Sequence, residues 1–234
     1  MTSSLPDSKN WIIQQTWEHV LFIHFWVNAD ELQKLLPAGL EVDTLHDEAF
    51  VSIVPFQMSR VRFPLSPILP FSKLWELNLR TYVKHKGSAG IYFFTLDSDH
   101  KLANWIARRF FCLPYRYAKL SGHITSDSYE FDSENSLSLI ASIDPDTMNS
   151  SNTQDLAKHR WLTERYRLFT ETPNGIATGE VLHESWKLQS VKIENFENNF
   201  SSQFKLPLET KNKSQYFGST YSKELLVRFK PFRI

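Results

Sequence analysis

Hydrophobic and polar positions alternate along most of the chain with a period of two, which predicts strands. The segment Trp17–Val27 differs, because it is apolar at both odd and even positions and rich in aromatic and β-branched residues. This pattern is typical of a strand that is covered on both faces. We therefore predict that His24, in the middle of this segment, lies deep in the core.

Two hairpins are predicted in the first half of the chain. One spans Leu40–Phe63 and turns at His46-Asp47-Glu48, and the other spans Glu76–Asp99 and turns near Gly87. In the second hairpin the first strand places polar side chains on one face and apolar side chains on the other. Any chemistry on this strand should therefore lie on the polar face.

Two short helices are predicted from apolar spacing and from residues that cap helices. Asn28 or Asp30 can begin the first helix, and a Pro-Ala-Gly step ends it. The second helix runs to Phe111, with Asp99 as its predicted N-cap. The proline-rich segment Phe63–Trp75 cannot form a regular hydrogen-bonded ladder, and we expect an ordered loop there.

The second half of the chain is predicted to be mainly strands. A polar stretch at Pro145–Arg160 is expected to be a long exposed loop that ends in a helix. The predicted strands are Tyr115–Ile124, Ser128–Glu134, Ser136–Asp144, a third hairpin made of Trp161–Thr170 and Gly175–Gln189, and a closing strand at Glu224–Phe232.

Many strands, few short helices and no alternation of strand and helix indicate an α+β fold rich in β-structure. We expect a bent antiparallel β-barrel with short helices packed on it. At 234 residues, residues 1–234 are expected to form a single domain, with residues 1–15 as a loosely ordered N-terminal segment.

Composition narrows the possible partners and compartment. Basic and acidic residues both number 26, so no net charge attracts nucleic acid or an anionic membrane. The single cysteine, Cys112, excludes a disulfide framework, and no signal peptide or membrane-spanning stretch is evident. We predict a cytoplasmic protein with no nucleic-acid or membrane partner, and the oligomeric state is left open.

The most suggestive local pattern is the acid, amide and guanidinium at Glu76, Asn78 and Arg80, which share one face of a predicted strand. If this face points into a cavity, Arg80 can hold a carboxylate and Glu76 can transfer a proton. The alternative is an ordinary solvated face, since such alternation also marks a half-exposed strand.

Other candidate residues follow the second helix. Tyr115, Tyr117 and Lys119 share one parity, so a buried Lys119 could act as a neutral amine, although a surface lysine is the more ordinary interpretation. The eight histidines show no metal-binding spacing, and no glycine-rich phosphate loop or serine elbow is present. We predict no metal and no cofactor.

Six motifs in order then show a family resemblance: LLPAGLEVDT, AFVSIVPFQMSRVR, ELNLRTYV, GIYFFTLDSDHKLANWIARRFFCLPYRYAKL, WLTERYRLFT and GEVLHESWKLQ. The chain resembles the YqjF-like bacterial family, a domain of unknown function, from about Trp17 onward. That family is similar in fold to acetoacetate decarboxylase, whose superfamily encloses a small-molecule cavity. The resemblance implies that the strand from Glu76 contributes polar groups to such a cavity.

The resemblance also gives meaning to the Pro114-Tyr115-Arg116 step. In acetoacetate decarboxylase a Pro-Lys-Lys step stands there, and its first lysine forms a Schiff base. A phenol forms no imine, so the superfamily's decarboxylation is not expected at Tyr115. Tyr115 could instead donate a hydrogen bond, and Arg116 could supply a cation if it faces inward. Lys119 lies roughly 13 Å further along a strand, which makes it a poor substitute.

Our leading hypothesis is a protein that binds a small metabolite bearing a carboxylate or carbonyl group. Arg80 would hold the anion, with Glu76 and Tyr115 as polar contacts or proton carriers. The first alternative is a lyase or hydratase that uses acid/base chemistry in the same cavity, and the second is an interaction protein whose interior is filled. Whether Glu164-Arg165-Tyr166 and His183 line a pocket or only pack is left open.

Overall fold

The computed structural model describes residues 10–66, 73–147, 153–212 and 214–233. These residues form thirteen strands and four short helices. In chain order the elements are β1 (Ile13–Val27), α1 (Ala29–Gln33), β2 (Glu41–Val42), β3 (Ala49–Arg62), β4 (Lys73–His85), β5 (Ser88–Ser98), α2 (Lys101–Phe111), β6 (Tyr115–Tyr117), β7 (Leu120–Ile124), β8 (Ser128–Ser133), β9 (Leu137–Thr147), α3 (Thr153–Thr163), β10 (Arg167–Thr172), β11 (Gly175–Leu182), β12 (Gln189–Asn198), α4 (Phe200–Phe204) and β13 (Tyr216–Phe229).

Seven of these strands form a closed ring. They pair in the order β1-β3-β4-β5-β10-β11-β13, and β13 returns to pair with β1 along most of its length. The pairs within this ring are antiparallel except β5 with β10, and β5 also pairs in parallel with the short β6. The predicted curved, strand-rich fold is confirmed, and it differs from the expected antiparallel pattern at these two pairings.

The remaining strands β12, β9, β8 and β7 extend from β13 and fold over the outer face of the ring. Alternate residues of β1 therefore enter two different cores: Phe22 packs inside the ring, and Leu21 and Ile23 pack beneath the extension. This arrangement explains why β1 is apolar at both parities, because burial of both faces removes the need for polar positions. His24 is completely buried, as predicted.

Both short helices predicted in the first half of the chain form, with one change of cap. The Asn28 side chain accepts a hydrogen bond from the Glu31 amide and begins α1, as expected. His100 rather than Asp99 caps α2, because the Asp99 carboxylate accepts the Trp75 amide instead, at 3.0 Å. Asp99 therefore joins the start of β4 to the end of β5.

Several predicted boundaries are corrected. The short β2 pairs with β4 and not with β3, so Leu40–Phe63 is not a regular hairpin, although a tight turn does join Leu45 and Glu48. The predicted strand at Tyr115–Ile124 is broken into β6 and β7, and the segment 161–163 belongs to α3. Strand β12 was not predicted.

Parts of three predicted segments lie outside the described residues: the first nine residues, residues 67–72 of the proline-rich stretch and residues 148–152. Within the predicted loose N-terminal segment, residues 13–15 belong to β1. None of the helices in the described part of the chain has the length and apolar character needed to cross a membrane.

Candidate functional site

The polar face of β4 points into the ring. Glu76, Asn78 and Arg80 are only 3 %, 4 % and 6 % exposed, so the alternative of a solvated outer face is wrong. The intervening Leu77 and Leu79 pack on the other side, beneath the extension. Strand β4 is thus covered on both faces, and its polar residues are enclosed with apolar neighbours.

Glu76 is paired with Tyr115, which the Leu113-Pro114 step after α2 delivers to the same place. The Tyr115 hydroxyl donates a hydrogen bond to Oε2 of Glu76 at 2.6 Å. Burial raises the pKa of Glu76 to about 7, although hydrogen bonds from Tyr115 and Asn78 oppose the rise. Burial and the Glu76 charge also raise the pKa of Tyr115. Near neutral pH, Glu76 can therefore either give up or accept a proton.

Arg80 is a buried cation without a carboxylate partner. One of its terminal nitrogens donates to the Leu162 carbonyl oxygen at 3.2 Å, and its guanidinium lies 5.2 Å from the centre of the Phe22 ring. None of the ion pairs found among the described residues involves Arg80, and its Nε has no hydrogen-bond partner. A buried charge of this kind is normally compensated.

A second guanidinium, that of Arg165, approaches from the segment after α3. Its Nη1 lies 2.8 Å from Oδ2 of Asp43, and it stacks 3.8 Å above the Trp161 ring. Asp43 also holds Lys84 at 2.9 Å, so one carboxylate serves two cations. Nη2 of Arg165 has no hydrogen-bond partner. Of the two buried guanidinium groups, Arg165 thus has a carboxylate partner and Arg80 has none among the described residues.

These groups surround a small cavity of about 50 Å³, here called the inner cavity. Four polar atoms on its lining residues have no hydrogen-bond partner: Nε1 of Trp17, Oδ1 of Asn78, Nε of Arg80 and Nη2 of Arg165. The other lining residues are mainly apolar and include Phe22, Val54, Phe56, Phe93, Leu168, Val181 and Trp186. The lining residues thus carry one free acceptor and three free donors among mainly apolar neighbours.

His183 forms part of the wall of this cavity. Its Nδ1 lies 2.7 Å from the Glu184 carbonyl oxygen, and its ring packs 4.6 Å from the Tyr166 ring and 5.2 Å from the Trp186 ring, measured between centroids. Burial lowers the pKa of His183, so it lines the cavity as a neutral imidazole. His183 therefore both lines the cavity and packs against two aromatic rings.

A second, more open pocket adjoins the inner cavity and is here called the vestibule. It measures about 100 Å³ and lies between helix α2 and the strands beneath it. Gln15, Met58, Leu113, Tyr115 and Phe229 line both spaces. The Glu76–Tyr115 pair therefore stands where the two spaces meet.

Three residues that the sequence analysis proposed for binding lie outside both spaces. Arg116 faces the opposite side of the sheet, where it makes two hydrogen bonds to Asp97 at 2.7 and 3.0 Å. Tyr117 is half exposed at the surface, beneath the ammonium group of Lys101.

Lys119 is also outside, and the hypothesis of an amine with a lowered pKa is corrected. Its side chain is 70 % exposed and pairs with Glu134 at 3.0 Å, and this hydrogen bond raises the pKa of Lys119. Strand β6 ends at Tyr117, so residues 115 and 119 do not share one strand and their side chains need not face the same way. Among the described residues, no lysine lines the inner cavity or the vestibule.

From the sequence alone, whether Arg165 lines a pocket or only packs was left open. Its neighbours explain the uncertainty, because the Glu164 carboxylate accepts hydrogen bonds from the Tyr166 hydroxyl and from the Trp186 amide at 2.9 Å, which are structural contacts. Within the Glu-Arg-Tyr motif, the arginine alone reaches the cavity. In the sequence this motif stands between two apolar segments, but that pattern does not distinguish residues that pack from residues that bind a ligand.

A second buried polar cluster lies further along the ring interior. Nδ1 of His24 is 2.7 Å from the Ser52 hydroxyl, which is 2.7 Å from the Tyr82 hydroxyl, and the His159 ring lies 5.5 Å from the His24 ring. Burial lowers the pKa of His24 far below its usual range and that of His159 to about 4. Within the described parts of the chain, no group of three or more potential metal ligands gathers here or elsewhere.

Comparison with known proteins identifies relatives over most of the chain. Residues 14–224 match the profile of the DUF2071 family, described as "Uncharacterized conserved protein". The "Uncharacterized protein YqjF" of Bacillus subtilis (strain 168) is 39% identical over 196 residues, which is 82% of this chain and 80% of that protein. The predicted family resemblance is confirmed.

Solved structures with a similar fold are more distant in sequence. The enduracididine biosynthesis enzyme MppR, complexed with the condensation product of pyruvate and imidazole 4-carboxaldehyde, superposes with a TM-score of 0.66 at 12% identity, covering 94% of this chain and 88% of MppR. Acetoacetate decarboxylase from Legionella pneumophila gives 0.64 at 13% identity, covering 100% and 93%. At these identities the similarity concerns the fold alone.

Proposed function

This chain belongs to the DUF2071 family of uncharacterized conserved proteins, and we propose that it binds a small metabolite bearing a carboxylate together with a carbonyl or hydroxyl group. The observation that carries the proposal is the set of unpartnered polar atoms on four residues that line one cavity: Trp17, Asn78, Arg80 and Arg165. Buried polar atoms are nearly always hydrogen-bonded in native proteins, so four unpartnered atoms on the lining of one cavity call for an occupant.

The charge of these atoms indicates the chemistry of the occupant. Arg80 has no carboxylate partner, and Arg165 shares Asp43 with Lys84. A carboxylate on the ligand would compensate the charge of Arg80 and could accept hydrogen bonds from both guanidinium groups. The volume of about 50 Å³ suits such a group, since one water needs about 10–15 Å³ on the same scale.

The other end of the cavity suits a neutral oxygen. Glu76, with a pKa near 7, can donate or accept a hydrogen bond, and Asn78 adds a free acceptor. A hydroxyl group of the ligand can pair with both residues, whereas a carbonyl oxygen, which only accepts, can pair with Glu76 only when that carboxyl is protonated. MppR, which shares this fold, forms a complex with pyruvate, and pyruvate and acetoacetate are therefore natural first probes for this chain.

Acid/base catalysis in the same cavity is a second candidate function, favoured by one observation. A buried carboxyl with a pKa of about 7 is suited to take a proton from a substrate carbon and to return it, the elementary step of many lyases and hydratases. The side-chain oxygens of Tyr115 and Glu76 are already within hydrogen-bonding distance. Schiff-base decarboxylation is not proposed, because Tyr115 stands in place of the lysine and no lysine of the described residues lines the cavity.

A thermal-shift screen tests the binding proposal. The panel contains pyruvate, acetoacetate, longer oxo acids, hydroxy acids, aldehydes and fatty acids, applied to the wild type, to Arg80→Met and to Arg60→Met. Arg60 is a suitable control because it is 61% exposed and pairs only with Glu224 at the surface. A ligand at about 100 times its Kd adds ~2.7 kcal/mol, which corresponds to about 5–10 °C in Tm for a chain of this size.

We expect a shift with at least one oxo or hydroxy acid in the wild type and in Arg60→Met, and none in Arg80→Met. A shift that survives in Arg80→Met would place the carboxylate elsewhere. If no compound shifts the wild type, the proposal fails and an interaction protein with a filled interior becomes the better hypothesis. For any acid that binds, exchange of its carbon-bound protons in D₂O, followed by NMR, tests catalysis, and Glu76→Gln should abolish that exchange.

A further inference from the structure

Helix α2 and the strands beneath it enclose an apolar space that the proposed small ligand would not fill. Of the described residues that line the vestibule, only Gln15, Ser98 and Tyr115 are polar and none is charged. The rest are aliphatic or aromatic and include Ile13, Val61, Leu74, Ile106, Phe111 and Phe232. A pocket of this composition recognises a hydrocarbon group.

The vestibule is continuous with the proposed binding site and not a separate surface groove. Tyr115 lines both spaces while its hydroxyl bonds to Glu76, so the polar pair forms the boundary between them. Gln15, Met58, Leu113 and Phe229 complete this boundary. A ligand in the inner cavity would therefore lie next to residues that also line the apolar space.

The order of groups along β4 gives the order of groups in the ligand. Arg80 lies at one end, Asn78 follows, and Glu76 with Tyr115 lies at the other end, beside the vestibule. Successive residues on this face are about 6–7 Å apart along the strand. A molecule with its carboxylate at Arg80 would thus direct the remainder of its chain along this face, past Asn78 and then Glu76 and Tyr115.

Helix α2 leaves room for that chain. Ala103 and Ala107 are one helical turn apart and face the vestibule, where larger side chains would occupy the space. A cavity of about 150 Å³ lined by apolar residues accepts a benzene ring, so a space of about 100 Å³ accepts roughly four or five carbons. The length of the tail is therefore limited.

We propose that the ligand is an oxo or hydroxy acid of medium length, with its carboxylate at Arg80 and an apolar tail of about four to five carbons in the vestibule. This inference rests on the proposed function, since it uses the same carboxylate site. It goes beyond that proposal in assigning a tail-binding subsite to α2.

Calorimetric titration with straight-chain acids measures the contribution of the tail. The probes are butanoate, hexanoate, octanoate, decanoate and their 3-oxo or 3-hydroxy derivatives, kept below their micelle-forming concentrations. Each methylene that enters the vestibule should lower the Kd about threefold to fourfold, and the gain should stop once the space is full. Primary alcohols of the same lengths serve as probes that lack the carboxylate.

Three variants locate the tail. Ala107→Phe and Ala103→Leu fill the vestibule from α2, and Leu102→Phe, on the exposed face of the same helix, is the matched control. We expect the two filling variants to remove most of the gain between butanoate and octanoate while changing the Kd of butanoate less than about twofold. Leu102→Phe should bind the whole series like the wild type.

The possible failures are distinguishable. Binding that depends on Arg80 but is independent of chain length would overturn the vestibule proposal and leave the proposed function intact. A length dependence that is unchanged in Ala107→Phe and Ala103→Leu would also overturn it, because the tail would then lie elsewhere. Alcohols that bind in an Ala107-dependent manner, without any binding of acids, would support the apolar subsite and refute the carboxylate site at Arg80.

Discussion

The interior of the strand ring contains two clusters of buried polar residues. The acid end comprises Glu76, Asn78, Arg80 and Tyr115, and the histidine end comprises His24, Ser52, Tyr82 and His159; both contain polar atoms without hydrogen-bond partners. The acid end borders the inner cavity and the vestibule, whereas none of the four residues of the histidine end lines either space. Unpaired buried groups therefore indicate a binding site here only where space for a ligand accompanies them.

The two ends also differ in charge. At the histidine end burial lowers the pKa of both imidazoles, which are neutral and packed against Phe22 and Phe217. At the acid end a guanidinium remains charged without a carboxylate partner. We infer that the histidine end contributes to folding and that the acid end is retained at some cost to stability, as is common for binding sites.

The largest expected effect tests this contrast directly. His24→Ala removes a fully buried ring and its hydrogen bond to Ser52, and it should lower the free energy of unfolding by about 3–5 kcal/mol. Arg80→Met replaces a buried, uncompensated cation with an apolar side chain of similar length, and it should be neutral or stabilising. Urea unfolding of both variants measures the difference. A strongly destabilised Arg80→Met would show that Arg80 is structural.

The second effect concerns Glu76 and the response to rising pH. Its pKa is about 7 in the folded protein and 4.5 in an unfolded chain, so the folded state holds a proton that the unfolded state has lost. This contribution to stability is complete below about pH 4.5 and is lost as the pH rises through 7, a change of ~3 kcal/mol. Glu76→Gln cannot ionise and should gain stability relative to the wild type between about pH 5 and pH 8.

Urea unfolding of the wild type and of Glu76→Gln at these two pH values measures how the pH dependence of their stability differs. The matched control is Glu224→Gln, because Glu224 is half exposed and pairs only with Arg60 at the surface. Equal pH dependence in the wild type and Glu76→Gln would mean that Glu76 is ionised like an exposed carboxylate, and the proposed acid/base role would lose its support.

Much of the fold and the polar face of β4 could be predicted because both depend on local alternation. The direction of that face could not, since alternation is the same for a strand that faces water and for one that faces a cavity. The extension of four strands covers the outer face of the ring, so both faces of β4 are buried. This extension depends on long-range pairing, such as that of β12 with β9, which local alternation does not reveal. The family resemblance supplied what local pattern lacked.

The errors around Tyr117 and Lys119 have a similar cause. Strand parity predicts facing only while a strand continues, and β6 ends after three residues, where the Ala118 amide bonds to the Ser98 carbonyl oxygen. Arg165 was left undecided because its neighbours Glu164 and Tyr166 make structural contacts. Within one motif of three charged or polar residues, some residues can thus pack while another lines a binding site.

The third effect is the opposite pH response of the histidine end. The pKa of His159 is about 4 in the folded protein against 6.5 in an unfolded chain, mainly through burial, while Asp155 opposes the shift. Its contribution to stability is therefore complete above about pH 6.5 and is lost as the pH falls through 4. His159→Gln should remove about 2–3 kcal/mol of this acid sensitivity.

Measurement of unfolding between about pH 4 and pH 7 tests the prediction. His123→Gln is the control, because His123 is exposed on β7. If His159→Gln retains the full acid sensitivity of the wild type, the histidine end does not hold neutral imidazoles, and the proposed contrast in charge between the two ends is wrong.

The smallest expected effect concerns the hydrogen bond between Tyr115 and Glu76. The hydrogen bond from Tyr115 favours the charged form of Glu76, so Tyr115→Phe should raise the pKa of Glu76 above 7 and change the stability by about 1–2 kcal/mol. NMR titration of ¹³C-labelled glutamate measures the pKa directly. Tyr117→Phe, on the same short strand but at the surface, should leave it unchanged. A fall in the pKa of Glu76 in Tyr115→Phe would mean that water replaces the phenol, and the boundary between inner cavity and vestibule would then be open to solvent.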